Sequence, residues 1–384
     1  MNRVLVLASV ASMIDQFNMP FISLLQKMGY SVDVACNFKE GSTCTYEVID
    51  GLCKNLASMK VRCHQVDFAR NFLKIRENYR SFKQVEILMI HNQYSFIHCH
   101  SPIGGVIGRL ASHRTRTRVI YTAHGFHFYN GGPIKFWLLF YPVERFLARW
   151  TDVLITINRE DYELAQRKLK ARQVAYVQGV GVNLTRFVPA NVDREKKRLE
   201  LGIPKNSIWL LDVGELIPRK NHEALITAIA NIPGVFLTIA GQGELREPLM
   251  ALAEKCGVSD RVRLLGFRTD VSALNASADI FVFASFQEGL SVAVMEAMAC
   301  GKPIVCSRIR GNTDLVDSRG GVLFDPHNVE ECIGAIEKTI AGDWIEMGNY
   351  NREKVVEFGL PNVIIQMERL YGAKETESTR RRET

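Results

Sequence analysis

Phe286–Ala299 reads FQEGLSVAVMEAMA and follows directly on the short apolar run Ile280–Phe283 (IFVF). A continuous apolar run of that length is the pattern of a strand covered on both faces. Ser291 then stands where a helix N-cap belongs, good helix formers follow, and Gly301 with Pro303 ends the run. Strand, glycine turn and capped helix together are a piece of a βαβ unit. The backbone N–H groups of Gly289, Leu290 and Ser291 would sit at the helix N-terminus, where an anion is favoured. Glu288 lies just before this turn and Glu296 inside the helix. An acid early in a helix can be a plain dipole partner. Glu288 is different, because a phosphate beside it would repel its carboxylate. A ligand hydroxyl donating to Glu288 would account for it.

The same alternation extends in both directions. Upstream candidate strands are Val4–Ala8, Val32–Ala35, Val61–Val66, Phe96–His100, Val119–Thr122, Val153–Ile157 and Val174–Val177. After Gln178–Ala190 (QGVGVNLTRFVPA) the pattern restarts, with strands at Trp209–Val213, Phe236–Ala240, Val262–Leu265, Ile280–Phe283, Pro303–Ser307 and Val322–Phe324. Helical patterns such as Gln16–Met28 and Asp161–Lys170 lie between. The fold class is therefore α/β, with two parallel-sheet domains. The expected boundaries are 1–180 and 190–350, a helical segment 351–372 packing back toward the N-terminal domain, and a disordered tail 373–384. Ligands of open α/β sheets bind outside the carboxyl ends of the strands. Two such domains facing each other would form a cleft lined by strand-end loops.

Composition narrows the function classes. Apolar residues make up 47% and charged residues 23% of 384, which excludes disordered and collagen-like chains. Against 41 acidic residues stand 48 Lys and Arg, a net +7 that suits an anionic ligand or lipid surface without demanding nucleic acid. No basic stripe with interleaved aromatics occurs, so nucleic acid is not an expected partner. The nine Cys form no CxxC pair, which points to reduced thiols and a cytoplasmic setting. Arg3–Ser12 (RVLVLASVAS) has the look of a signal peptide, but a buried first strand explains it better. No apolar stretch is long enough to span a bilayer.

Three further strand-end motifs accompany the first. Gly214–His222 (GELIPRKNH) sets Arg219 and Lys220 side by side at a helix start. Cations there oppose the helix dipole, so the motif is either a solvated basic turn or a phosphate site. Gly241–Gly243 (GQG) follows Phe236–Ala240, and Phe267–Val271 (FRTDV) follows Val262–Leu265. Either could be a plain connection; the second could offer backbone groups to a base edge.

In order and spacing these four motifs, with Glu288 and Glu296 as an E-x7-E pair, resemble the retaining glycosyltransferases of the GT-B fold, group 1 or family 4. His98–Gly105 (HCHSPIGG), Tyr121–Asn130 (YTAHGFHFYN) and Phe140–Arg149 (FYPVERFLAR) are similar to the bacterial members that build capsule, exopolysaccharide and O-antigen. The resemblance covers about residues 3–372 and implies two Rossmann-like domains facing across a cleft. It implies that Lys220 contacts a donor diphosphate, with Arg219 beside it, and that Gly214 and Gly241 line the nucleotide. Gly289, Leu290 and Ser291 would hold phosphate, Glu296 the ribose hydroxyls, and Phe267 and Arg268 the base. Glu288 would lie near the donor sugar, and His124 would reach that sugar from the N-terminal domain. The catalytic set is thus His124, Glu288 and Lys220.

Two departures stand out. Glu215 occupies the position where the family has an Arg, and Ser9–Phe17 (SVASMIDQF) lacks the family's glycines after the first strand. The implied partners are a nucleotide-sugar donor, with UDP the family's commonest, and a glycan or polyprenyl-diphosphate-linked acceptor. No cofactor is implied, and no Asp-x-Asp motif is present to clamp a metal. His98, His100, His124 and His127 superficially pair like metal ligands, but cleft-lining or core roles are the simpler expectation. Gly132–Trp150 (GPIKFWLLFYPVERFLARW) reads either as a buried helix pair broken at Pro142 or as an apolar-basic face resting on the inner face of the cell membrane. Two other readings compete with transfer. One is a nucleotide-sugar epimerase of the same architecture; the other is a non-catalytic nucleotide-sugar-binding protein, which Glu215 keeps open.

Overall fold

The computed structural model describes residues 2–40, 45–69, 71–187 and 192–373. The expected tail falls outside the described residues apart from Ala373, as do residues 188–190 of the expected linker. The chain forms two compact units: one runs to Val177 and resumes at Val363, the other is Gln178–Asn362.

The first unit holds β1 (Arg3–Val10), β2 (Ser31–Asn37), β3 (Arg62–Gln65), β4 (Phe96–His100), β5 (Arg118–Ala123), β6 (Val153–Thr156) and β7 (Gln173–Tyr176). Their order is β3-β2-β1-β4-β5-β6-β7, every pair parallel, with Leu5 opposite Asp33 and Ile97. The second holds β8 (Ile208–Val213), β9 (Val235–Ala240), β10 (Val262–Gly266), β11 (Ile280–Phe283), β12 (Ile304–Ser307) and β13 (Gly321–Phe324), ordered β10-β9-β8-β11-β12-β13 and again all parallel. Both are Rossmann-like, so the strand order reverses between β1 and β4, and between β8 and β11. Every strand expected from the apolar runs is present to within a few residues. Arg3–Ser12 supplies the central strand β1 and the start of the helix after it.

Alternation along the strands places the cores. Val4 and Val6 pack into a cluster on one face of the first sheet, Leu5 and Leu7 into a cluster on the other. The helix Leu360–Gly372 adds Val363, Met367 and Tyr371, one helical stripe, to the first of these clusters. Helix Pro102–Thr115 approaches the sheet closely through its glycines: a Cβ on Gly105 would stand 2.3 Å from the Tyr121 ring, and one on Gly108 2.2 Å from Cys99 Sγ.

Two expectations change. Gly132–Trp150 is not a buried helix pair: a single helix, Ile134–Ala148, runs through Pro142. Pro142 leaves the carbonyl of Leu138 without an N–H partner, but both residues are exposed and water can serve that carbonyl. After β1 no loop intervenes, so no glycine is required there. The helix starts at Ala11, contains a π-turn at Ile14–Asn18 and continues through Met19–Lys27.

Candidate active site

In the second unit the β8 and β11 ends are tied together. Phe286 N–H donates to the Arg219 carbonyl at 2.9 Å, and Ser285 Oγ lies 3.1 Å from the same oxygen. This brings Glu288 Oε1 within 2.6 Å of Arg219 Nη1, 2.8 Å of Lys220 Nζ and 2.8 Å of Ser285 Oγ. Burial pulls the Glu288 carboxyl upward, but Lys220 and Arg219 overcome it and the net shift is downward. The cations at this turn therefore already have an anionic partner. The solvated basic turn is excluded, and the dipole conflict is relieved by Glu288 within the protein. Lys220 Nζ also lies 4.7 Å over the Phe283 ring.

Beside this cluster the helix Val292–Ala299 opens as expected. Ser291 Oγ caps it by accepting from Val294 N–H at 3.4 Å. Among the described residues the N–H groups of Gly289, Leu290 and Ser291 have no protein acceptor. Arg310 Nε donates to the Glu288 carbonyl at 3.1 Å, which fixes the turn from behind. The Glu296 carboxyl has no hydrogen-bond partner among the described residues, and burial pushes it up to about 7 against a smaller opposing effect of Arg186.

The other predicted residues divide. A Cβ on Gly241 would stand 1.7 Å from the Gly214 carbonyl oxygen, so this glycine serves the close packing of the β8 and β9 ends. Leu216 N–H donates to the Gln242 carbonyl at 3.0 Å across the same contact. The atoms nearest a Cβ on Gly214 itself belong to the Lys220 side chain, at 3.4–3.6 Å. Phe267 is 72% exposed, as a residue offering itself to a ligand would be. Arg268 is not on offer: its guanidinium is held by Asp270 at 2.6 and 2.7 Å and by Glu200 at 3.1 Å. Any role beside a base would require these pairs to loosen or to stay in place beside it. Glu215 is exposed and has no ion-pair partner among the described residues.

Sequence reasoning passed over His222. Its Nδ1 lies 2.7 Å from Asp212 Oδ2 and its Nε2 3.0 Å from the Glu215 carbonyl. Both neighbours offer acceptor oxygens, an arrangement that favours the protonated ring. Burial opposes that charge, but Asp212 outweighs it and the pKa is raised. The signal was available: Asp212 breaks an otherwise apolar strand.

In the first unit, strand-end histidines form a neutral ladder. His98 and His100 lie with centroids 4.1 Å apart and planes tilted by 48°, and His100 Nδ1 meets His124 Nε2 at 3.1 Å. His98 spends both nitrogens on hydroxyls, Tyr371 and Thr122, each at 2.8 Å. Burial holds His98 down at about 3 and His124 at about 4. His127 packs against Phe140, 4.6 Å between centroids. Among the described residues no group of three or more His, Cys, Asp or Glu could hold a metal ion.

Comparison with known proteins sorts these features. A model of the group 1 glycosyl transferases matches residues 193–357, and a glycosyl transferase 4-like model matches residues 3–158. EpsD of Bacillus subtilis, whose name assigns it to the glycosyltransferases, is 32% identical over 97% of this chain and 97% of its own length. This chain belongs to the group 1 glycosyltransferases. Within that family, an Escherichia coli UDP-Gal:α-D-GlcNAc-diphosphoundecaprenol α-1,3-galactosyltransferase is 28% identical over 80% of this chain and 81% of its own. HepE of Anabaena, solved in complex with UDP-glucose, shares the fold at a TM-score of 0.77 with 19% identity, covering 97% of this chain and 100% of its own. The expected resemblance and the Rossmann-like pair of domains are thus both established for this glycosyltransferase.

Proposed function

We propose that this glycosyltransferase moves a sugar, with retention of anomeric configuration, from a UDP-sugar to a glycan or polyprenyl-diphosphate-linked acceptor in cell-surface polysaccharide assembly. It would do so on the inner face of the cell membrane and without a divalent metal. The observation that carries this reading is the convergence of Lys220 and Arg219 on one carboxylate, beside three open amides at a helix start. Breaking an anomeric bond builds positive charge on the sugar and further negative charge on the leaving diphosphate. Fixed donors aimed at that charge lower the barrier more than they tighten binding. Two cations held in advance supply what a metal would otherwise supply.

Glu288 has a double part in this scheme. Without donor it neutralises Lys220 and Arg219. With donor bound, the diphosphate would take over those cations and free Glu288 to accept from a sugar hydroxyl. Engaged by that sugar hydroxyl, Glu288 would serve as a hydrogen-bond acceptor rather than a nucleophile, which favours front-face transfer in which the leaving phosphate helps to deprotonate the acceptor. The Escherichia coli relative, by its name, uses UDP-Gal and a diphosphoundecaprenol-linked acceptor, and the Anabaena structure holds UDP-glucose; both support a UDP-linked donor. Relatives named as transferases weigh against the epimerase and non-catalytic readings. Thermal stabilisation by UDP, GDP, ADP and CMP tests the donor site. A ligand at about 100 times its Kd adds roughly 2.7 kcal/mol. A selective UDP shift that persists in EDTA is expected, and no shift from any nucleotide would refute the site. NMR assignment of the product anomer tests retention.

A further inference from the structure

Two cavities of 360 and 540 Å³ open on the first unit and share Phe72 and Val106 in their walls. Each lies within the range of about 300–1,000 Å³ common to small-molecule sites. The smaller is walled by Pro102, Tyr121, Phe128 and Leu139 and reaches Gly125, the residue after His124. Its base carries no net charge: buried Arg109 donates twice to Glu144, each at 2.8 Å, and lies 4.1 Å over the Tyr121 ring. The lips are apolar yet open to solvent, with Leu73 82%, Ile75 76% and Leu139 58% exposed. Phe72 and Phe140, ring centroids 5.5 Å apart, join the two lips. Scattered exposed apolar residues are ordinary, whereas a contiguous set of this kind marks a binding surface.

Charge indicates what binds there. On the flanking segments 71–80 and 132–149, Lys74, Arg76, Arg80, Lys135, Arg145 and Arg149 are exposed, against a single exposed acid, Glu77. An apolar trough with a cationic lip fits a hydrocarbon chain bearing an anionic head. We propose that this groove holds the isoprenoid chain of a polyprenyl-diphosphate-linked acceptor, with the diphosphate at the cationic lip and the acceptor sugar toward the His124 end. The proposal rests on reading the acceptor as lipid-linked. A contact with a flat bilayer would use only the protruding side chains. The recessed walls, Pro102, Val106, Tyr121 and Phe128, enclose a single chain instead.

Farnesyl diphosphate carrying a diazirine at its far end is the probe, used with the full-length chain in detergent-free buffer. Saturable photolabelling of Phe72, Val106 or Leu139 is expected, competed by unlabelled farnesyl diphosphate and not by inorganic diphosphate. Leu139→Asp, at a side chain 58% exposed and so tolerant of replacement, should weaken probe binding about tenfold or more. Stabilisation by UDP reports separately on folding and on the donor site. A UDP response with no saturable labelling overturns the groove and leaves the donor reading standing. Labelling without a UDP response supports the groove and counts against the donor reading. Sedimentation with phosphatidylglycerol vesicles but no uptake of probe would make this face a bilayer contact and sink the proposal.

Discussion

The two units share a strand order but present opposite chemistry at equivalent places. At the reversal between β8 and β11, the loops gather Arg219, Lys220 and Glu288, three charges in mutual contact. At the reversal between β4 and β1, the end of β4 and the loop after β5 gather His98, His100 and His124, all held neutral by burial. Topology therefore decides where a site forms, and loop residues decide what it can bind. The charged end suits a diphosphate. The neutral end, bordered by an apolar groove, suits sugar hydroxyls and a lipid chain.

The contrast breaks most readily at Lys220. Lys220→Ala removes a fixed donor of the kind worth about 2.7–4 kcal/mol, so turnover should fall roughly 10²-fold or more. Steady-state kinetics with a change below threefold would show that the charged end is structural. His124→Ala tests the neutral end and should cost on the order of tenfold or more in kcat. Because His124 already sits at about 4, the wild-type rate should show no His124 titration between pH 5 and 8. An inflection near 6.5 that His124→Ala abolishes would mean the ladder is not neutral.

Glu296 sharpens the comparison with the smallest effect. Its carboxyl is pushed up to about 7, so the carboxylate that could accept from ribose hydroxyls forms only as pH rises past that value. UDP affinity should rise several-fold between pH 6 and 8, and Glu296→Gln should flatten the profile, both measurable by calorimetry. Fold stability runs the other way. An acid whose pKa is raised in the folded state binds more protons folded than unfolded, so stability falls from about pH 4.5 to 7. Glu296→Gln should remove that slope too.

Much of this was legible in the sequence, for identifiable reasons. Runs such as Ile280–Phe283 read as strands because burial on both faces leaves no polar alternation. Ser291 and the turn before it were readable because capping is local. Longer-range contacts were not. Arg219 and Lys220 meet Glu288 across nearly seventy residues, so a turn that looked in need of an outside anion already had an internal one. The pairing of Arg268 was hidden for the same reason, its charge going to Glu200 and Asp270. The packing demand on Gly241 is visible only once Gly214 lies against it. Pro142 predicted a break, yet an exposed helix face absorbs a missing hydrogen bond.

The last helix brings the end of the chain into a core begun by its first strand. Tyr371 donates to or accepts from His98, and Met367 and Val363 pack among Val4, Phe96 and Ile120. During synthesis, therefore, the first unit leaves the ribosome with one wall of its core missing. The missing wall is encoded after the entire second unit. At about 5–20 residues per second, the nascent first unit waits on the order of ten seconds or more with that apolar surface uncovered. The second unit, continuous in the chain, can close first, so the order of maturation reverses the order of translation.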